Sequence, residues 1–329
     1  MIRNYFYIFL LILFAYRAFG QVKPVSWEYN FDHFGIQNGL PSSETYQVYQ
    51  DKTGLLWILT DRGIVRYDGF RFRTYTVENG LSDNVNFRVM EAPDSSVWFI
   101  GANGLLSVYK NQKMQPYQYN SVLLKVFPMG TNIFNSFCIG PNQSIIYGVN
   151  RYRIFTVDRK GKIRTLLDKS KIRDKESVHI VEHNGYFANS ISALHKRPVN
   201  TYFLRDGKWT LAGKFGYGGT TRLKRYRGHI FFISNKKLNV FLENRVKTFP
   251  NPNEVISLDR DEQFIYVGYY KNGVKKYRFD VQKKELILVQ HYLPQYSVSS
   301  AYRDNNGSLW ITTLEKGVFM IYDEAFRQL

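Results

Sequence analysis

Short apolar runs separated by polar turn clusters recur along almost the whole chain, and they predict strands rather than helices. In the clearest stretch the cluster Asp51, Lys52, Thr53, Gly54 precedes an apolar run that includes Trp57, and Asp61, Arg62 and Gly63 precede Ile64 to Tyr67. Asp68 and Gly69 then precede Phe70 to Thr76. Glycine at such points permits positive φ, and aspartate can bond its own backbone, so each cluster reads as a hairpin turn. The pattern predicts three successive strands, with a fourth leading to the next unit. No long helix is expected after residue 21.

The unit repeats. A second copy runs from Asn79, Gly80, Leu81 and Ser82 through Asp94 and Trp98 to Gly104 and Tyr109, with Gly39 to Gly80 and Trp57 to Trp98 both 41 residues apart. A third clear copy holds Asp304, Gly307, Trp310, Gly317 and Tyr322. Between them the aromatic is replaced at Tyr147, Phe187, Phe232 and Tyr266, giving seven units spaced by 41, 49, 40, 45, 34 and 44 residues. That period suits one four-stranded propeller blade. The expected fold is therefore all-β, a seven-bladed β-propeller. An alternating strand from Trp27 to Phe34 precedes the first unit, and the last stops after its third strand, so the N-terminal strand is expected to complete the last blade and close the ring.

The N-terminus changes the address of the chain. Arg3 leads into an apolar run from Tyr5 to Tyr16, followed by Ala18 and Gly20. This is the pattern of a signal peptide spanning 1–20, leaving 21–329 as the propeller. The run is 12 residues long, whereas a helix needs about 20 to cross a bilayer. The expected location is the periplasm, with secretion as the alternative. The single cysteine, Cys138, can form no internal disulfide, so the core must hold the fold. With 25 Tyr and 25 Phe, that core is expected to be aromatic.

Net charge is +18, which suits either a solvated basic surface or attraction to polyanions such as acidic polysaccharide. Nucleic acid is not an expected partner of an exported chain.

The GLPS around Leu40, the DKTGLLWILTDRGIVRYDG from Asp51 to Gly69 and the GLSDN around Leu81 resemble the two-component regulator propeller repeat of periplasmic sensors in Bacteroidetes-type bacteria. The likeness is close in the first, second and seventh units. It implies a sensor module related to two-component signalling, with a membrane sensor kinase as a partner. In that family an immunoglobulin-like domain, a membrane helix and an output domain usually follow the propeller, and none follows here before Leu329.

No HExxH, paired cysteines, GxSxG or phosphate-binding glycine loop is present, so no catalytic residue, metal or cofactor is assigned. His179 and His183 lie four apart in what reads as strand and turn, where that spacing does not converge on a metal. Propeller function tends to sit on loops at one mouth of the channel. The turns after the aromatic strand carry Asp61, Arg62, Asn103, Asn150, Arg151, Asn189, Asn235, Lys236, Lys271, Glu315 and Lys316. If they share one face, they form a basic, amide-rich ring suited to an acidic oligosaccharide. Plain turn polarity explains the same residues. The remaining alternatives are a lyase-like propeller enzyme, using Glu315, Asp61 or a histidine, and a protein-protein adaptor.

Overall fold

The computed structural model describes residues 29–126, 137–140, 144–149, 153–168, 176–181, 186–192, 199–205, 208–215, 220–234, 236–242 and 245–322. The segment 1–20, expected to be a signal peptide, lies outside them. The fold is an all-β propeller. Among the described residues its strands form seven four-stranded antiparallel sheets, six made of consecutive strands within 45–75, 86–116, 137–168, 176–215, 220–248 and 255–292. In the seventh, Val298–Arg303, Leu309–Thr313 and Val318–Ile321 are joined by Phe31–Phe34, which pairs antiparallel with Val318–Ile321. Side chains are described in all but the fourth sheet. Among the described residues the first strands of neighbouring sheets touch at six of the seven junctions, and at the remaining one the second and third sheets share an apolar cluster.

The seven aromatics at the repeat period, Trp57, Trp98, Tyr147, Phe187, Phe232, Tyr266 and Trp310, each lie on the second strand of their own sheet. Trp57 is fully buried and packs across the sheet boundary on Phe99 and Tyr109. The aspartate that opens the preceding turn does two things. Asp51 Oδ1 accepts the N–H groups of Thr53 and Leu55, while its Oδ2 accepts the Trp57 indole N–H at 2.8 Å. Asp304 repeats this for Asn306, Ser308 and the Trp310 indole. Asp261 does so for Gln263, Phe264 and the Tyr266 hydroxyl. In the second sheet Ser96 stands between Asp94 and the Trp98 indole. One carboxylate thus shapes a hairpin and satisfies the polar edge of the core aromatic, which would otherwise be buried unpaired.

We expect Asp51→Ala to destabilise the protein by about 2–4 kcal/mol, because it leaves the Trp57 indole N–H buried without a partner and frees the turn. A urea titration against the wild type measures it, and an unchanged midpoint would show that the bond carries no stability.

The NGL segments are the links between sheets. Ile36–Asn38 and Val77–Asn79 each form a single 3-10 turn ended by a glycine at φ 104°, Gly39 and Gly80. A Cβ on Gly80 would also lie 2.5 Å from the Met114 carbonyl oxygen, so both backbone angle and space demand glycine there. Leu40 and Leu81 then plug into the core.

Two expectations shift. The N-terminal strand begins at Phe31, not Trp27 (27–28 lie outside the described residues), and the fourth strand of the first sheet begins at Phe72, not Phe70. Asp68 accepts the N–H groups of Phe70 and Arg71, holding both in the turn and leaving Phe70 almost wholly exposed.

Candidate functional site

The turns singled out by the sequence adjoin the links between sheets. Asn103 donates its amide to the Ser82 carbonyl and accepts from Leu105 N–H, while its own N–H donates to Asp83. The Glu315 carboxylate accepts the Ser297 N–H, and Ser297 Oγ accepts the Lys271 N–H. Lys236 Nζ lies 2.7 Å from Glu254 on the link to the sixth sheet. Arg62 is exposed, with its Nε 3.9 Å from Asp61. Lys271 holds its ammonium 5.5 Å over the Tyr270 ring. The Lys316 N–H donates to Thr313 Oγ1, and its carbonyl accepts from His33 Nε2. Asn150, Arg151 and Asn235 lie outside the described residues. Asn189 is not in a turn: it sits within Tyr186–Ser192, paired with His179 and Thr201. The strand runs on because its first-strand partner Glu176–Val181 continues the ladder to Ser192. Much of the polarity at these turns therefore holds the turns and sheet links together.

None of the described turn residues lines the cavity at the centre of the ring. This cavity, of about 450 Å³, is bounded by the first strands of the first, second, fifth, sixth and seventh sheets. All its lining residues come from the third position of those strands onward, toward the hairpins that lead into the second strands. The same five strands each slip register near their start, at Thr45/Gln47, Asn86/Arg88, Thr220/Leu223, Val255/Ser257 and Val298/Ser300. The first strands of the third and fourth sheets pair without a slip. A bulge of this kind re-aims the residues that follow it.

Four cations, Arg88, Lys224, Arg225 and Arg260, face two carboxylates, Glu91 and Asp259, around this space. Both carboxylates brace neighbouring sheets. Glu91 accepts the Tyr49 hydroxyl and the Lys52 N–H from the first sheet. Asp259 Oδ2 accepts the Ala301 N–H of the seventh sheet at 3.0 Å, and its Oδ1 lies 3.3 Å from Lys224 Nζ. The Lys224 side chain is 37% exposed, facing the cavity from deep inside the ring. Burial pushes its pKa down; Asp259 pulls it back, and Arg88 and Arg222 push it further down. Among the described residues neither Arg225 nor Arg260 makes an ion pair. At the hairpin end the Tyr49 and Tyr302 rings meet at 5.6 Å, each hydroxyl tied down, to Glu91 and to the Gln50 carbonyl.

Sequence reasoning missed these residues because it looked only at turns. A signal was available in some sheets: Arg88 and Glu91 precede the turn opened by Asp94, and Asp259 and Arg260 precede the one opened by Asp261, where a doubly covered strand would be apolar.

The two component regulator propeller family matches residues 292–315. No curated protein sequence matches the chain. Among solved structures it is similar to the extracellular domain of a protein described as a hybrid two component system from B. thetaiotaomicron, with 20% identity and a TM-score of 0.68. That match covers 89% of this chain and 42% of the other. A second such extracellular domain from the same organism gives 15% identity and a TM-score of 0.64 over 90% of this chain and 40% of its own. The chain thus spans less than half the length of either. Virginiamycin B lyase from Staphylococcus aureus matches with 13% identity and a TM-score of 0.64, over 90% of this chain and all of that one. At these identities the shared property is the fold. The stretch from Tyr292 to Glu315, which carries Asp304, Gly307 and Trp310 of the seventh sheet, matches the two component regulator propeller family and lies within an all-β propeller.

Proposed function

We propose that the chain is an exported, non-catalytic binding module of the two-component sensor type, taking an anionic glycan into its central channel and passing the signal to a membrane sensor kinase. The supporting observation is a preformed cavity with more cations than carboxylates, on a rigid ring of strands. Export by the segment 1–20 and residence in the periplasm belong to the same reading, supported by the likeness to extracellular sensor domains. A non-catalytic role fits the cavity's chemistry, since Glu91 and Asp259 are both engaged in bracing sheets and a general acid or base needs a carboxyl free to exchange its proton with substrate. The full-length likeness to a lyase supports a second reading, a propeller lyase. The two differ in turnover.

The test is thermal stabilisation of the chain from Gln21 onward by acidic and neutral oligosaccharides, with product analysis of every mixture. At 100 times Kd a bound ligand adds roughly 2.7 kcal/mol. Stabilisation by acidic members with no product is expected. Breakdown of the sugar would replace this reading with the lyase, and stabilisation by none would leave an adaptor that docks only on protein.

A further inference from the structure

We infer that a second cavity, an aromatic-floored cleft between the second and third sheets, binds a neutral sugar unit, with the sugar's C–H face on Trp98 and Tyr117 and its hydroxyls on the Asp94–Lys110 pair. The site lies outside the central channel and does not depend on the function proposed for it.

The cleft exists because a filler of the repeat is missing. Trp57 and Trp310 each face the next sheet, and the ladder register shows which residues stand beside them. Across the ladder Trp57 pairs with Arg66, Trp98 with Val108 and Tyr147 with Phe155. The next residue along each of those third strands is Tyr67, Tyr109 and Thr156. Tyr67 packs on Trp310 of the preceding sheet at 5.9 Å, and Tyr109 packs on Trp57 at 4.7 Å. Arg66 completes that filling by donating to the Tyr109 hydroxyl at 2.6 Å. Between the second and third sheets both places hold small side chains, Val108 where Arg66 stands and Thr156 where Tyr109 stands. A cavity of about 450 Å³ opens at this junction, lined by Trp98, Tyr117 and Tyr119 among others. The first strands are also less closely joined here than at the other junctions. Trp98 accordingly keeps 9% of its surface exposed, against 0% for Trp57 and 2% for Trp310.

The polar rim departs from the repeat at the same place. Asp51 and Asp304 bond their indoles directly, but Ser96 takes that role for Trp98, which leaves Asp94 Oδ2 to the Lys110 ammonium at 2.8 Å. Burial raises the Asp94 pKa, yet the bonds from Lys110 and Ser96 outweigh it and hold the carboxyl well below its usual range. The carboxylate is therefore a permanent acceptor. An ammonium has three donors and a carboxylate about four acceptor sites, so this pair still offers both kinds side by side. Adjacent sugar hydroxyls, each able to donate and accept, match that offer. Trp and Tyr rings supply the apolar surface that the C–H face of a sugar needs. Lys110 is charge-paired and Arg159 already has a partner, so no uncommitted cation selects an acidic ligand here.

The walls are set before a ligand arrives. The Tyr119 hydroxyl donates to the Arg159 carbonyl of the third sheet, and its ring lies so close to Gly161 that a Cβ there would come within 2.6 Å of it. Tyr117 meets Trp98 at 5.1 Å and Tyr119 at 5.5 Å. Little side-chain freedom is lost on binding to such walls. The volume lies within the ordinary range for small-molecule sites, about 300–1,000 Å³.

The experiment is a ligand-observed NMR titration with the methyl glycosides of glucose, galactose, mannose and N-acetylglucosamine. The proteins are wild type, Thr156→Tyr, which supplies the missing filler, and Lys110→Ala with Gln118→Ala, two exposed rim positions whose loss leaves the core intact. Binding of at least one glycoside is expected, with a Kd on the order of 1 mM for so small a ligand. Each variant should weaken it tenfold or more, while any binding of an acidic sugar in the channel survives both. If Thr156→Tyr does not fold, the rim variant decides. Binding of none of the four glycosides, or affinity that either folded variant leaves unchanged, overturns the site and leaves the channel reading untouched.

Discussion

Removing residues 1–35 is expected to abolish the cooperative unfolding transition of the monomer and to yield self-associating protein. Phe31–Phe34 is the outermost strand of the seventh sheet, and without it Val318–Ile321 becomes an open edge carrying Phe319, an edge that pairs readily with other chains. The strand also seals the ring laterally. Phe34 stacks on Trp310 of the seventh sheet and meets Tyr67 and Phe72 of the first, while Phe31 and His33 cover Phe319. Just ahead of it, the Tyr29 hydroxyl accepts the Leu293 N–H and its ring meets Tyr292 of the sixth sheet. Aromatic pairs of this kind contribute about 0.5–1.5 kcal/mol each beyond area burial. With the ladder bonds lost as well, the total is on the order of 5 kcal/mol or more, comparable with the whole stability of many domains. Size-exclusion chromatography and urea unfolding of the shortened chain provide the measurement; a monomer with an unchanged midpoint would show that the ring does not depend on this closure. Phe34→Ala, at about 2–4 kcal/mol, is the graded version.

Alkaline unfolding should be steep. Tyr147, Tyr266 and Tyr269 are buried, and burial pushes each phenol well above its usual value near 10. For Tyr266 the Asp261 carboxylate that accepts its hydroxyl adds to the effect, and for Tyr269 the neighbouring Tyr277 does. Above pH 10 the unfolded chain loses these protons while the folded chain keeps them, so the folded state binds more protons and stability falls as pH rises. The stabilisation is fully present below about pH 10 and is lost progressively above it. Well above pH 10 each such group contributes roughly 1.4 kcal/mol per pH unit, and over the first unit, from pH 10 to 11, about 1 kcal/mol, so three give about 3 kcal/mol there. Lys224, with its pKa lowered, has the opposite sign but is one group. Tyrosinate absorbance should rise together with the loss of sheet signal in one transition, and Tyr266→Phe should lower the slope by about one group's share. Smooth phenol titration near pH 10 with the sheet signal intact would contradict this account.

Turn chemistry and the aromatic period were legible along the chain because both are local. An Asp-x-x-Gly cluster must turn and a large aromatic at a constant place in each unit must be buried; Asp51 and Trp57 needed no tertiary information. Where the repeat fades, the aromatic position remained readable at Tyr147 and Tyr266, because any large ring fills the gap between sheets. The aspartate bridge to the indole was half legible: Asp51 and Trp57 are six residues apart, but only the hairpin folds one onto the other.

The central cavity was not legible, for a different reason. Lys224, Asp259 and Ala301 come from three sheets, and nothing near any of them along the chain says that the others are within reach. Register slips at the start of five first strands then set which residues meet the channel, and a slip of one residue turns a side chain to the other face of a strand. The sheets, most of their turns and the aromatic wedges between them can be read along the chain, because these follow from backbone angles and burial within one unit. Only the closed ring decided which charges share the channel, because that depends on contacts between residues tens to hundreds of positions apart.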